Sequence, residues 1–157
     1  MSIKNKIQLT KTGYEDLRQE LDELVNIKLP DVVKRIAIAR DKGDLSENTE
    51  YQSAKEEKEI YDARIAEIED VLKRAEVVNK TKSKTKVGIG SNVKTHIKGD
   101  KTIVKFQIVG EFEGNAEEGK VSAISPIGKA LLGKKQGDEV TVNAPIGDFV
   151  YVIDKIQ

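Results

Sequence analysis

The stretch Lys42–Tyr51 reads KGDLSENTEY and sets Asp44 and Glu47 three residues apart, beside Gly43 and Asn48. Two carboxylates at that spacing have two uses. With Asp44 as N-cap and Glu47 three positions on, they form a capping box, and acidic groups suit the positive end of a helix dipole. Aimed at one point, they also form part of an oxygen-ligand set for Mg²⁺. That ion takes one or two carboxylates and leaves the rest of its shell to water and phosphate oxygens. Spacing alone favours the cap. Position pulls the other way, because a turn at the end of a helical rod has the least packing to do. A rod can also carry a functional tip into a deep cavity. Such a tip does not hold Mg²⁺ tightly by itself; it completes a site whose other ligands belong to a partner.

Other chemistries find little support. The chain has no cysteine, which excludes disulfides, thiolate zinc sites and cysteine nucleophiles. A single histidine, His96, excludes multi-histidine metal sites and reads as an ordinary strand residue. Aromatic residues are 4% with no tryptophan, a poor basis for a large cofactor pocket. No apolar run approaches the roughly 20 residues that span a bilayer, and the opening MSIKNKIQLT lacks a signal-peptide core, so the expected location is the cytoplasm, with no membrane partner.

The elements that must position the tip follow from periodicity. Thr10 is a plausible N-cap, and Tyr14, Leu17, Leu21 and Leu24 recur at spacings of three and four. The phase then slips, and Val25, Leu29, Val32, Ile36 and Ala39 continue the stripe past Pro30, which predicts a kink near residues 27–30. A second stripe runs through Tyr51, Ala54, Lys58, Tyr61, Ile65, Ile68, Leu72 and Ala75. Residues 10–76 therefore read as two helices joined by the turn at 41–46, an antiparallel hairpin whose tip is the acidic stretch. Lys58 reads as a lysine whose stem lies along the seam, beside Glu56, Glu57 and Glu59.

From Asn79 the period changes. Residues 79–86 are polar with lysine at every second position, a linker or edge strand. Strand patterns follow at 92–97, 102–109, 120–124, 139–142 and 149–156, interrupted by one short helix over 125–133. Ser125 is its N-cap, Pro126 its first residue and Gly133 its stop. Net charge is zero, yet residues 1–79 hold 14 Lys+Arg against 18 Asp+Glu, and residues 80–157 hold 13 against 9. The reading is an α+β protein with an N-terminal coiled-coil hairpin over 1–78, its acidic tip at 41–50, and a small α+β domain over 79–157. Neither half is basic enough for net charge to indicate nucleic-acid binding.

Four stretches carry a family resemblance: LTKTGYEDLRQELDEL at 9–24, the Pro30 position, IARDKGDLSENTEYQSAKEE at 38–57 and SPIGKALLGKKQGDEV at 125–140. In this order and at these separations the chain resembles the bacterial Gre transcript-cleavage factors. The resemblance implies that the hairpin enters the secondary channel of RNA polymerase and brings its tip to the active site. There Asp44 and Glu47 would help hold a weakly bound second Mg²⁺ and position the attacking water, with Ser46 adjacent to RNA or water. That Mg²⁺ is shared with the polymerase, and the protein is an activator rather than an enzyme. Arg40, Lys42, Lys34 and Arg35 would contact the phosphates of the backtracked nascent RNA 3′ end. The C-terminal half would be FKBP-like and dock on the polymerase through Ser125, Pro126 and Ile127. Leu131 and Leu132 read as core. A monomer is expected. Two other readings stand beside this one: a Gre-like channel-binding inhibitor without cleavage activity, and a coiled-coil chaperone or isomerase-type module.

Overall fold

A computed structural model describes residues 5–45 and 47–157. They form two compact units, Tyr14–Arg74 on one hand, and the residues up to Gly13 with Ala75–Gln157 on the other.

The first unit is the hairpin. Its ascending arm is helix α1 (Lys11–Glu23), a π-helical turn (Leu24–Lys28) and helix α2 (Leu29–Arg40); α3 (Thr49–Arg74) returns. Thr10 caps α1 by accepting the Gly13 N–H at 3.1 Å. The seam of the ascending arm runs through Leu17, Leu21, Leu24, Leu29, Val32, Ile36 and Ala39. All its steps are three or four residues except the five from Leu24 to Leu29. The π turn supplies that step: the Leu29 N–H donates to the Leu24 carbonyl, five residues back. The expected irregularity is therefore a one-residue insertion that restores the seam and eases the chain past Pro30. Val25, expected in the stripe, is 39% exposed, because the inserted residue rotates it outward. Opposite, Ala54, Ile68 and Val71 are buried. Lys58 is half-buried, and its partner is Asp62 at 2.7 Å rather than the neighbouring glutamates.

The arms are also tied by charge. Arg64 of α3 grips Glu20 of α1 with two parallel bonds, Nε to Oε1 at 2.6 Å and Nη2 to Oε2 at 2.9 Å. Arg35 of α2 reaches Glu57 of α3 at 2.9 Å, and Tyr61 donates to the same carboxylate at 2.6 Å.

The second unit contains two sheets. Strands β1 (Ile7–Thr10) and β2 (Ala75–Val78) pair in parallel. Both lie at the ends of a stretch whose 3-4 spacing predicts helix, and the difference is physical. Ile7, Leu9 and Thr10 are buried on the non-local partner that the fold provides, and β-branched Val77 and Val78 suit a strand. Consequently the compact units divide at 13/14 and 74/75, whereas the sequence pattern changes at 78/79. The larger sheet comprises β3 (Asn92–Ile97), β4 (Ile103–Val109), β5 (Lys120–Ser122), β6 (Glu139–Ala144) and β7 (Gly147–Ile156), in the order β5-β4-β3-β7-β6. Helix α4 (Pro126–Leu131) covers a core of Val87, Val93, Ile108, Ala123, Leu131, Val140, Ile153 and Ile156. The lysine-rich run after Asn79 forms no strand and connects β2 to β3.

Glu113 fastens β1 within this unit. Its carboxylate accepts the Thr10 N–H at 2.8 Å, the Gly110 N–H at 2.9 Å and the Thr10 hydroxyl. A methyl group at Gly13 would overlap the Glu113 side chain, and one at Gly110 would meet the Gln8 carbonyl as well. Among the described residues, no helix is long and apolar enough to cross a membrane.

Candidate functional site

At the tip, the last turn of α2 is closed by the Asp41 N–H on Ala37 O at 3.3 Å and the Lys42 N–H on Ala39 O at 3.2 Å. Gly43 then adopts φ +149°, a conformation that side chains disfavour, with open space around it. Helix α3 starts at Thr49, and its cap is Asn48. The Asn48 carboxamide oxygen accepts the Tyr51 N–H at 3.0 Å, and its NH₂ donates to Ala39 O at 2.6 Å. One side chain thus caps the returning helix and ties it to the ascending one. The capping-box expectation for Asp44 and Glu47 fails here, because the helix begins beyond both residues. Asn48 can do what Glu47 cannot, since it offers an acceptor to α3 and a donor to α2 at once.

Two further residues shape the turn. Gln52 Nε2 donates to Leu45 O at 3.1 Å, and Lys42 Nζ pairs with Glu50 at 3.2 Å. Lys42, Gly43, Asp44, Glu47, Asn48, Thr49 and Glu50 line a shallow recess that opens to solvent. Sequence reasoning assigned neither Glu50 nor Gln52 a part in shaping the turn. The available signal was their position in the first turn of α3, where side chains reach back over the loop. Ser46 lies outside the described residues.

The donor set of this recess is hard oxygen, which suits Mg²⁺. Among the described residues, no group of three or more His, Cys, Asp or Glu side chains is arranged to hold a metal ion. Glu50 is turned toward Lys42. Asp44 and Glu47 could supply two oxygen ligands to such an ion.

The four basic residues proposed for RNA separate into two pairs. Arg35 is engaged by Asp31 and Glu57, each at 2.9 Å, and Lys42 by Glu50. Its carboxylate hydrogen bonds hold the Arg35 guanidinium above the ordinary arginine range. Lys34 and Arg40 are exposed and form no ion pair with the described residues.

On the sheet unit, the Ser125 hydroxyl accepts the Gly128 N–H at 3.1 Å and donates to Ser122 O at 2.6 Å. It caps α4 as the sequence indicates. Gly128 is required, because any side chain there would overlap the Ser122 carbonyl. Pro126 is exposed, Ile127 packs partly on the core, and Ile124 is 51% exposed. Leu131 is fully buried and Leu132 packs against the core, as expected.

An antiparallel helical hairpin with a carboxylate-lined tip, followed by a small mixed sheet capped by one helix, defines an α+β protein built to present a turn. Residues 7–77 match the family model for the N-terminal domain of transcription elongation factors. Residues 82–157 match the model for the C-terminal domain of GreA/GreB transcription elongation factors. A relative from Nautilia profundicola named transcription elongation factor GreA is 46% identical, covering 97% of this chain and 94% of its own. Another of that name, from Thermodesulfovibrio yellowstonii, is 41% identical over 98% of both chains. The crystal structure of GreA factor homolog 1 (Gfh1) of Thermus thermophilus is 31% identical, covers 98% of this chain and 99% of its own, and superposes with a TM-score of 0.45. The chain belongs to the GreA/GreB family of transcription elongation factors.

Proposed function

We propose that this elongation factor stimulates the Mg²⁺-dependent cleavage of backtracked RNA by RNA polymerase, with the hairpin tip placed in the polymerase active site. The observation that carries the reading is the division of labour at the tip. Asn48 does the capping and the cross-arm tie, Gln52 and Lys42 shape the turn around it, and Asp44 and Glu47 line the open recess. Asp44 serves chiefly as a metal ligand and Glu47 as metal ligand or orienter of the attacking water; Ser46, adjacent in sequence, contacts the RNA or the water. Asp44 and Glu47 would help ligands of the partner hold a divalent ion, raising its occupancy, and that ion would supply charge stabilisation for phosphodiester hydrolysis. The catalytic scaffold belongs to the polymerase, and the factor itself is not an enzyme.

Lys34 and Arg40 are the better placed of the basic residues for the RNA 3′ segment, since Arg35 and Lys42 already hold carboxylates. Phosphate contacts of this kind position without reading sequence. Ser125, Pro126 and Ile127 dock on the polymerase, with Ser125 acting through the shape it gives the loop and Pro126 offering the exposed surface. The factor works as a monomer in the cytoplasm.

The test uses backtracked elongation complexes in Mg²⁺. The native protein should shorten the RNA from its 3′ side. Asp44→Asn and Glu47→Gln should each lower that rate about 100-fold while still competing for polymerase, a loss typical of removing groups that organise a metal site. Polymerase binding without any cleavage by the native protein would make it an inhibitor of the channel-binding kind. Full activity in both variants would remove the pair from the mechanism.

A further inference from the structure

The exposed face of the larger sheet carries a feature that net charge conceals. Lys94 of β3 stands directly opposite Lys105 of β4 on one side and Lys155 of β7 on the other. Val93 and Thr95, the neighbours of Lys94 along the strand, are buried, so all three lysines project from the face away from the core. Like charges directly opposite across a sheet are destabilising. Nearby charges are arranged otherwise: Lys98 pairs with Glu139 at 2.9 Å, Lys120 with Glu118 at 2.9 Å and Asp154 with His96 at 2.7 Å. Lys94, Lys105 and Lys155 are exposed and form no ion pair with the described residues.

The three amines line a groove of about 430 Å³ together with one carboxylate, Glu118, whose charge is met by Lys120 at 2.9 Å. Val93 and Phe106 also line it, and Asn92, Gln107 and Gln157 supply carboxamides. Gly119 closes one side, where a methyl group would lie 2.9 Å from the Lys105 carbonyl. Phe106 is turned toward the core and meets Tyr151 edge to face, with ring centroids 5.4 Å apart, so it offers no face for a base to stack on.

We propose that this groove binds the phosphodiester backbone of single-stranded RNA, without regard to sequence. Three unpaired amines in a row complement successive phosphates, and the carboxamides can bond phosphate or ribose oxygens. Neighbouring strands lie about 4.8 Å apart, so the three amines span about 10 Å, the run of one phosphodiester backbone rather than of two. The choice of RNA rests on membership of a transcription family alone and is independent of how the hairpin tip acts.

The experiment titrates the full-length protein into a labelled oligouridylate and follows anisotropy at several salt concentrations, with no polymerase present. Three neutralised phosphates give a slope of log K against log salt of about −2, at about −0.7 per contact on a single strand. The triple variant Lys94→Gln, Lys105→Gln, Lys155→Gln should lose most of the binding and nearly all of that slope. It should fold at least as well as the native protein, since opposed like charges are removed. If it does not fold, Lys94→Gln alone should lower the slope by about 0.7. Lys55→Gln, at an exposed lysine of α3 with no assigned RNA contact, should leave the slope unchanged. Native-like binding by the triple variant overturns the proposal, as does loss of the slope in Lys55→Gln. Equal affinity for duplex RNA overturns it too. Tighter binding of polyglutamate than of RNA would make the face a protein-docking surface and overturn it equally.

Discussion

Glu113 and the pair Asp44/Glu47 are carboxylates in opposite settings. Glu113 is enclosed. Two backbone N–H groups and a hydroxyl donate to it, and Gly13 and Gly110 leave it the space it fills. Asp44 and Glu47 line a recess open to solvent, in a turn whose shape Asn48, Gln52 and Gly43 maintain. The difference separates a carboxylate that holds a fold from carboxylates that a fold holds out. Removing the first should damage stability and removing the second should damage activity.

The largest effect is expected at Glu113. Glu113→Ala strips acceptors from donors on Thr10 and Gly110, and Thr10 is 3% exposed. An unsatisfied buried donor costs about 1–3 kcal/mol, so a loss of about 3 kcal/mol is expected by denaturant unfolding. Gly13→Ala should mimic it, because its methyl group displaces the same side chain. The two changes share one mechanism, so the double variant should cost little more than Glu113→Ala alone. Additive losses would show that Gly13 serves a separate purpose.

Asn48→Ala comes next. It removes the α3 cap and the tie to Ala39, and loss of a cap costs about 1 kcal/mol. Cleavage stimulation should fall with it, since the turn that aims the recess loosens. Asp44→Asn and Glu47→Gln should change the melting temperature far less than Asn48→Ala while abolishing most stimulation. If Asp44→Asn destabilised the hairpin as much as Asn48→Ala, the tip carboxylates would belong with Glu113 after all.

What the sequence disclosed follows the range of each interaction. The five strands of the larger sheet, the α4 cap at Ser125 and most of the seam of α3 rest on patterns within a few residues and lie where the patterns put them, but the α3 stripe fails at its end, where Val71 rather than Leu72 is buried and Ala75 belongs to β2. The strands β1 and β2 are absent from any local pattern, since each is a strand only because the other lies beside it, 68 residues away in register. The π turn was visible as a slipped stripe, but hydrogen bonding decided that Leu24 rather than Val25 stays on the seam. At the site, the carboxylates and the glycine were legible from composition and spacing. Asn48 was not assigned its cap, because Asp44 offered an equally good local signature and only the true start of α3 decides between them. The lysine row is invisible in sequence, as its members sit at 94, 105 and 155 and meet only through strand register.

The smallest effect concerns the charges that join the arms. Glu20 lies below the ordinary value of 4.5 chiefly through its hydrogen bond from Arg64, and Glu57 does so chiefly through its hydrogen bond from Arg35. In both, the folded value is depressed below the unfolded one. Their stabilisation is therefore complete above about pH 4.5 and is lost as pH falls through the folded value. Glu20→Gln and Glu57→Gln should each melt below the native protein at pH 7, and the gap should close as the solution is acidified below pH 4.5. Added salt should narrow the Glu57 gap more, since that pair bridges a solvated face while Arg64 holds Glu20 by two parallel bonds. A gap that stays constant from pH 7 to the acid limit would mean that packing of the glutamate stems, rather than charge, joins the arms.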